Sequence, residues 1–257
     1  MKNSESLNGT WHLAAVGPGG DTWAVVDDPY PIPASVPGEV HPALQQVGLI
    51  PDPFYGMNHE QVQWVEEKDW WYRRVFQLPD GFMRQQTFLE FDGLDTYATV
   101  ALDGEVIGEA HNMFAPVRFD VTGKLQERQD HFLDVRFASA ARVAAQMDLQ
   151  RYTVHHSRDR IGIRKYQAAF GWDWLPRFVG AGIWRSVRVV SYDQLAIRDL
   201  AVRCDIHGEE AVVTLDFRLE NPLGFPVDAR IVARIDGPGG ALRHEETVQV
   251  PPPRKHS

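Results

Sequence analysis

The stretch FGWDWLPR, residues 170–177, brings two tryptophans, a phenylalanine, an aspartate and an arginine together within eight residues. The sixteen residues from Phe170 to Arg185 hold three tryptophans, one aspartate and two arginines. Indole faces stack on the C–H faces of a sugar ring, and carboxylates or guanidiniums pair with neighbouring hydroxyls. The stretch therefore indicates a sugar-binding site, for which the candidate residues are Trp172, Asp173, Trp174 and Arg177.

The spacing of these side chains requires a turn. In a regular strand Trp172 and Trp174 would share one face, and Asp173 would point to the other. Asp173 can meet the same ligand as a neighbouring tryptophan only if the backbone bulges or turns there. Gly171 and Pro176 flank the motif and favour such a turn. Composition alone supports equally well an alternative in which both tryptophans are core residues and Asp173 caps a turn.

Four segments together resemble β-mannosidases of glycoside hydrolase family 2. They are RKYQAAFGWDWLPRFVGAGIWRSVRV (residues 164–189), VPGEVHPALQQVGLIPDPFYG (36–56), QWVEEKDWWYRRVF (63–76) and LEFDGLDTYATVALDGEVIGEAHNMFAPVRFDV (89–121). They stand in the family's order and cover most of residues 7–192. The resemblance implies an N-terminal jelly-roll domain of the galactose-binding type. It also implies that Asp173 reaches a mannose bound in a separate catalytic barrel.

The sequence departs from the family pattern at two places beside the aspartate. Leu175 stands where the family usually has glycine, and Ala168 and Ala169 replace bulkier or polar residues. The Cβ of Leu175 restricts the backbone more than glycine would, so this substitution can change the path of the loop and the direction in which Asp173 points.

Composition narrows the class of protein. The chain has 257 residues with 17 prolines and 21 glycines, which favours short strands and turns over long helices. A formal net charge of −9 argues against nucleic acid or an anionic membrane as a partner. The only cysteine, Cys204, excludes an internal disulfide, and the N-terminus shows no apolar signal core. We expect a cytoplasmic protein.

Strand patterns predict an all-β chain with two domains. Residues 1–191 are expected to form the galactose-binding-like jelly roll, with a short helix near Val40–Val47 and another from Ser139 to about Gln150. Residues 192–257 contain four strands, whereas an immunoglobulin-like sandwich needs about seven. This region is predicted to be the start of such a sandwich, and the chain to be truncated.

The clearest strand of this second region covers residues 211–220. Its alternation places Ala211, Val213, Leu215, Phe217 and Leu219 on one face. With few partner strands to cover it, that face is expected to promote self-association. Cys204, which alternates with Leu200 and Val202, is predicted to be a core residue.

No catalytic residue is predicted in the chain. Retaining glycosidases need two carboxylates about 5–5.5 Å apart. In family 2 both lie in the barrel, the acid/base in an Asn-Glu pair that this sequence lacks. Glu66 and Glu67 would face opposite ways on a strand, so a solvated or turn-forming role is expected for them.

Several other polar residues are also candidate ligands. His111, His155 and His156 show no metal-binding spacing, and no metal or cofactor is predicted. Arg164, Lys165 and Arg177 are equally compatible with sugar contacts and with ion pairs.

Two functional hypotheses follow. The first is the N-terminal, non-catalytic part of a β-mannosidase-like enzyme, inactive on its own and completed by the missing barrel. The second is a free-standing carbohydrate-binding module, which binding of mannose or a mannooligosaccharide by this chain alone would favour. A structural relic of a split gene is a third possibility.

Overall fold

The computed structural model describes residues 2–16, 32–153, 158–193, 195–208, 210–221, 223–237 and 239–252. His155 and His156 lie outside these residues. The described residues form fourteen strands: β1 Lys2–Ser6, β2 Gly9–Val16, β3 Ile32–Val36, β4 Asp69–Phe76, β5 Gln86–Phe91, β6 Tyr97–Leu102, β7 Glu105–Ala110, β8 Val117–Asp120, β9 His131–Ala138, β10 Val187–Tyr192, β11 Ala196–His207, β12 Glu210–Glu220, β13 Val227–Gly237 and β14 Gly240–Val250.

The helices are short. They are α1 Val40–Gln46, α2 Asn58–Gln61 and α3 Ala140–Ala145, with 3-10 turns at Gln63–Glu67, Arg158–Arg160 and Gln167–Phe170. Both predicted helices are confirmed. The second begins where the Ser139 hydroxyl accepts the Arg142 backbone N–H. It ends at Ala145, earlier than the sequence pattern indicated.

The described residues fall into two compact units, and the first holds Asn3–Met83 and Thr87–Val190. Its strands form a six-stranded sheet of order β3-β2-β4-β9-β6-β7 and a four-stranded sheet of order β1-β10-β5-β8. One continuous core contains side chains from both sheets, among them Tyr72 and Val135 from the larger and Phe91 and Val189 from the smaller. The unit is therefore a β-sandwich.

Strand β9 shows how polar groups enter this sandwich. Leu133, Val135 and Phe137 alternate along this strand and are fully buried. Asp134 lies on the other face of the strand, and its carboxylate is also buried. It accepts hydrogen bonds from the Trp71 indole at 2.8 Å and the Arg73 guanidinium at 2.6 Å, which cover that face.

The second unit holds Arg84–Gln86 and the chain from Ser191 onward. It contains two separate antiparallel pairs, β11 with β12 and β13 with β14. The predicted inward face of β12 is only partly covered, since Leu215 and Phe217 are half-buried and Val213 is exposed. Cys204 is exposed rather than a core residue, because no further sheet covers this pair among the described residues.

The predicted fold class is confirmed: the chain is all-β, a jelly-roll sandwich followed by the strands of an incomplete immunoglobulin-like sandwich. The domain ranges 1–191 and 192–257 remain predictions. None of the helices described is long and apolar enough to span a bilayer.

Candidate functional site

The FGWDWLPR stretch forms a tight hairpin. The Trp172 N–H donates to the Leu175 carbonyl at 2.9 Å, and the Leu175 N–H donates back to the Trp172 carbonyl at 3.3 Å. Asp173 and Trp174 are thereby the two residues of the loop. The turn predicted from Gly171 and Pro176 is confirmed.

The side chains of this hairpin point into solvent. Trp174 is 72% exposed and Trp172 is 42% exposed, so the alternative of two core tryptophans is wrong. Asp173 is exposed, and its carboxylate has no hydrogen bond or ion pair within the part of the chain that the structure describes. Two large aromatic surfaces and one unneutralised carboxylate therefore stand together at the tip of the hairpin.

The base of the hairpin is held by Arg160. Its guanidinium donates to the Gly171 carbonyl at 2.9 Å and lies 5.0 Å from the centre of the Trp172 ring. Gly171 has φ of +90°, a conformation for which glycine is suited. The turn needs no glycine at 175, because Leu175 has no positive φ and both of its hairpin hydrogen bonds form.

Arg177 anchors the segment that leaves the hairpin. Its Nε donates to Glu66 at 2.8 Å, its Nη1 donates to Asp159 at 2.8 Å, and its guanidinium lies 5.2 Å from the Phe170 ring centre. Burial lowers the pKa of Arg177, but the hydrogen bonds that its guanidinium donates to both carboxylates, together with their charges, outweigh burial and leave the pKa raised. Glu66 is thus an ion-pair partner rather than a solvated residue. The proposed contact of Arg177 with sugar stays a prediction.

A buried charged cluster lies beneath the same segment. Lys165 is 1% exposed, and its ammonium donates to Asp95 and to the Gly180 carbonyl. Burial raises the pKa of Glu39, although the charge of Lys165 acts in the opposite direction. Burial and then the charge of Lys165 lower the pKa of His41 to about 4. The sequence did not predict Glu39, His41 and Asp95 as part of this cluster, because Lys165, the charge that acts on all three, lies far from them in the chain.

An aromatic surface continues from the hairpin. The Phe54 and Phe178 rings meet edge to face at 5.3 Å, and His41 contacts Phe178 from another direction at 5.6 Å. Phe54 and Tyr55 are 72% and 76% exposed. Exposed aromatic residues of this size are typical of surfaces that bind another molecule.

Other candidate residues lie elsewhere. His111 is exposed, 3.5 Å from Glu109, and Arg164 lines a separate cleft. Within the described residues, no group of three or more His, Cys, Asp or Glu side chains could hold a metal ion.

Comparison with known proteins gives one family and several relatives. The family described as "Glycosyl hydrolase 2 galactose-binding domain-like" matches residues 11–185. The chain is similar to Beta-mannosidase B of Emericella nidulans, 42% identical over 163 residues, 62% of this chain and 19% of that protein. It is also 42% identical to Beta-mannosidase B of Aspergillus terreus over 178 residues, 67% of this chain and 21% of that protein.

Solved structures give the same result. The beta-D-mannosidase of Dictyoglomus thermophilum aligns with a TM-score of 0.77 and 33% identity, over 97% of this chain and 31% of that one. An exo-chitosanase of Amycolatopsis orientalis, 20% identical, aligns with a TM-score of 0.72 over 98% of this chain and 28% of that one, and so shares the fold.

The chain spans about a fifth of the length of these curated relatives. Its resemblance to family 2 glycosidases, inferred from four segments, is confirmed by a match that runs through the sandwich and the Trp172–Leu175 hairpin. The chain belongs to the glycosyl hydrolase 2 galactose-binding-domain-like family.

Proposed function

We propose that this chain is the N-terminal, non-catalytic portion of a β-mannosidase-like glycosidase, and that it supplies Asp173 to the subsite for a terminal β-D-mannoside. The rest of that subsite, and the catalytic residues, belong to a barrel that this chain does not contain. The observation that carries the proposal is the two-residue loop that presents Asp173 and Trp174 to solvent.

The chemistry of the loop suits a sugar. A carboxylate accepts hydrogen bonds from two neighbouring hydroxyls, and such charge-assisted bonds are about twice as strong as neutral ones. The exposed faces of Trp172 and Trp174 offer surfaces on which the apolar side of a pyranose can stack. In this proposal Arg177 holds the hairpin and borders the subsite rather than neutralising Asp173, since two other carboxylates engage its guanidinium.

The acids next to the hairpin do not provide hydrolysis. Glu66 and Asp159 both form ion pairs with Arg177, so each serves as a partner of that guanidinium rather than as an acid or a nucleophile. A single free carboxylate, Asp173, can orient a sugar but lacks the second group that both glycosidase mechanisms require. We therefore assign the acid and the nucleophile to the barrel.

The test joins this chain to a catalytic part. In a chimera, residues 11–185 replace the matching segment of the Emericella nidulans relative, and Asp173→Asn is compared with the parent chimera on a chromogenic β-mannoside. Losing a charge-assisted hydrogen bond removes roughly 1.5–3 kcal/mol, so kcat/KM should fall by about one to two orders of magnitude.

The matched control is Asp148→Asn. Asp148 is exposed and only accepts a backbone N–H from Gln150 at 3.4 Å, so its kcat/KM should match that of the parent. An Asp173→Asn chimera with unchanged kinetics and unchanged melting temperature would refute the subsite role.

The alternative function is a free-standing carbohydrate-binding module, favoured by the solvent exposure of Trp172 and Trp174 in the hairpin. It predicts that this chain alone binds mannose or mannooligosaccharides, and that Asp173→Asn abolishes the binding. The first proposal predicts weak or no binding at the hairpin without the barrel. A cytoplasmic location is also proposed, from the single cysteine.

A further inference from the structure

A concave surface separate from the hairpin lies on the jelly roll and is formed by chain segments 112–114 and 161–167. It has a volume of about 610 Å³, which falls in the range typical of ligand sites. We call it the Arg164 cleft, after the arginine that lines it. The two segments are joined at that point, since the Met113 N–H donates to the Arg164 carbonyl at 3.0 Å.

Arg164 differs from most arginines of this protein. Arg177 and Arg188, for example, each hold two carboxylates. Arg164 is exposed and has no hydrogen bond or ion pair from its side chain to any described residue. Among the described residues that line the cleft there is no aspartate or glutamate, in a chain with 35 acidic residues. The cleft therefore presents an uncompensated positive charge.

The other cation in the lining does not change this. Lys165 is fully buried, and Asp95 neutralises its ammonium. Arg164 is thus the group that gives the cleft its charge. A planar guanidinium binds a carboxylate through two parallel hydrogen bonds, so a ligand with a carboxylate fits it.

Phe114 provides an apolar wall. Its ring is 51% exposed and meets Trp184 edge to face at 6.5 Å. The Trp184 indole is fixed by donating to the Met113 carbonyl at 2.8 Å. One face of a supported aromatic ring is thereby open, as stacking of a pyranose ring requires.

Two amides add directional polar groups. The Asn112 oxygen accepts the Phe114 N–H at 3.0 Å, which leaves the Asn112 NH₂ as a donor. The Gln167 NH₂ donates to the Arg160 carbonyl at 2.9 Å, which leaves the Gln167 oxygen as an acceptor. The donor suits a carboxylate or a ring hydroxyl, and the acceptor suits a hydroxyl alone.

We propose that the Arg164 cleft binds a sugar acid, a pyranose that carries a carboxylate. The carboxylate pairs with Arg164, the ring stacks on Phe114, and a hydroxyl donates to Gln167. This site is distinct from the Asp173 hairpin and does not depend on the mannoside function proposed above.

Calorimetric titration of the full chain with two matched ligands tests the proposal. Methyl β-D-glucuronide and methyl β-D-glucoside differ only at C6, which is a carboxylate in the first and a hydroxymethyl group in the second. Sodium acetate provides a carboxylate without a ring. At equal ionic strength, the glucuronide should bind at least about tenfold more tightly than the glucoside, the ratio expected for a charge-assisted hydrogen bond. It should also bind more tightly than acetate.

Variants place the binding in the cleft. Arg164→Gln should remove the preference for the glucuronide, Arg164→Lys should keep part of it, and Phe114→Ala should weaken glucuronide binding about tenfold. Two control variants should leave glucuronide binding unchanged. They are Arg203→Gln, at an exposed arginine of the second unit, and Asp173→Asn, at the hairpin. Circular dichroism and melting curves confirm that each variant is folded.

Four results would overturn the proposal: no saturable glucuronide binding, equal affinity for the glucoside, equal affinity for acetate, or full binding in folded Arg164→Gln. Binding that disappears in Asp173→Asn but survives in Phe114→Ala would move the ligand to the hairpin, which also overturns it. Failure of the mannoside proposal leaves all of these readouts unaffected.

Discussion

Lys165 and Asp95 form a buried ion pair, in which the charge of each residue offsets the energetic cost of burying the other. Their side chains are 0% and 3% exposed, and the ammonium donates directly to the carboxylate. Removing one partner of a buried pair leaves an uncompensated charge. We expect Lys165→Met to lower the free energy of unfolding by about 3–5 kcal/mol, measured by urea denaturation.

The double variant Lys165→Met/Asp95→Asn controls for packing. Because it removes both charges, it should be more stable than Lys165→Met alone. An unfolding midpoint of Lys165→Met equal to that of the wild type would show that the pair is not needed to offset burial.

His41 gives the stability a pH dependence. Its pKa is lowered from about 6.5 to about 4, mainly by burial and then by the charge of Lys165. The unfolded chain therefore takes up a proton at His41 before the folded chain does. The stabilisation is complete above pH 6.5 and is lost as the pH falls toward 4.

The comparison with His41→Gln isolates this effect, since the raised pKa of Glu39 acts in the opposite sense above pH 4.5 in both proteins. Between pH 7 and 4.5, wild-type stability should fall more steeply than that of His41→Gln in urea titrations. Parallel curves for the two proteins would contradict the assignment.

The sequence predicted the local environment of some of these residues but not their distant partners. Asp173 could be placed at a turn because glycine and proline flank it within a few positions. Lys165 could not be predicted as buried, because lysine is normally exposed and Asp95 lies 70 positions away. The ion pair between Arg177 and Glu66 could not be predicted either, because the two residues are 111 positions apart.

At the scale of the element, the segment after the hairpin depends on close backbone contact. Gly182 exchanges two backbone hydrogen bonds with Asp95, at 2.9 and 3.0 Å. A Cβ at this position would lie only 2.6 Å from the Glu39 Cα and would also clash with the Gly38 carbonyl. These are backbone atoms that cannot rotate away.

Gly182→Ala should therefore destabilise the protein by at least about 2 kcal/mol, as expected for an overpacked core, and thermal melting should report it. Gly224→Ala is the control, because a Cβ there meets nothing within 4 Å. Equal melting temperatures for both variants would mean that the segment can shift without cost.

Elements were predictable where alternation was regular and side chains were either clearly buried or clearly exposed. Strand β12 follows the alternation of its sequence. The short strands β7 and β8 were missed, since four to six residues carry too little pattern. Cys204 was misplaced because alternation shows which residues share a face but not whether another sheet covers it.

At the scale of the whole molecule, the second unit exposes an unusual amount of apolar surface. Val202, Ile206 and Leu242 are 62%, 75% and 73% exposed. Such surface, on two-stranded sheets whose edges pair with no other strand among the described residues, favours association between copies.

We expect the chain to self-associate as its concentration rises, and sedimentation velocity to show this. Val202→Lys should shift the distribution toward monomer, whereas Val75→Lys, at a 47% exposed valine of the first unit, should not. A folded chain that stays monomeric at high concentration would show that this surface does not drive association.

The hairpin of Trp172 and Leu175 has a thermodynamic consequence for any ligand that Asp173 holds. The backbone of its two-residue loop is fixed by a hydrogen bond on each strand and by Arg160 at its base. The conformational entropy of ordering this loop is therefore lost when the domain folds, not when a sugar arrives. Binding at this tip begins from an already ordered backbone, so more of the contact energy remains as affinity.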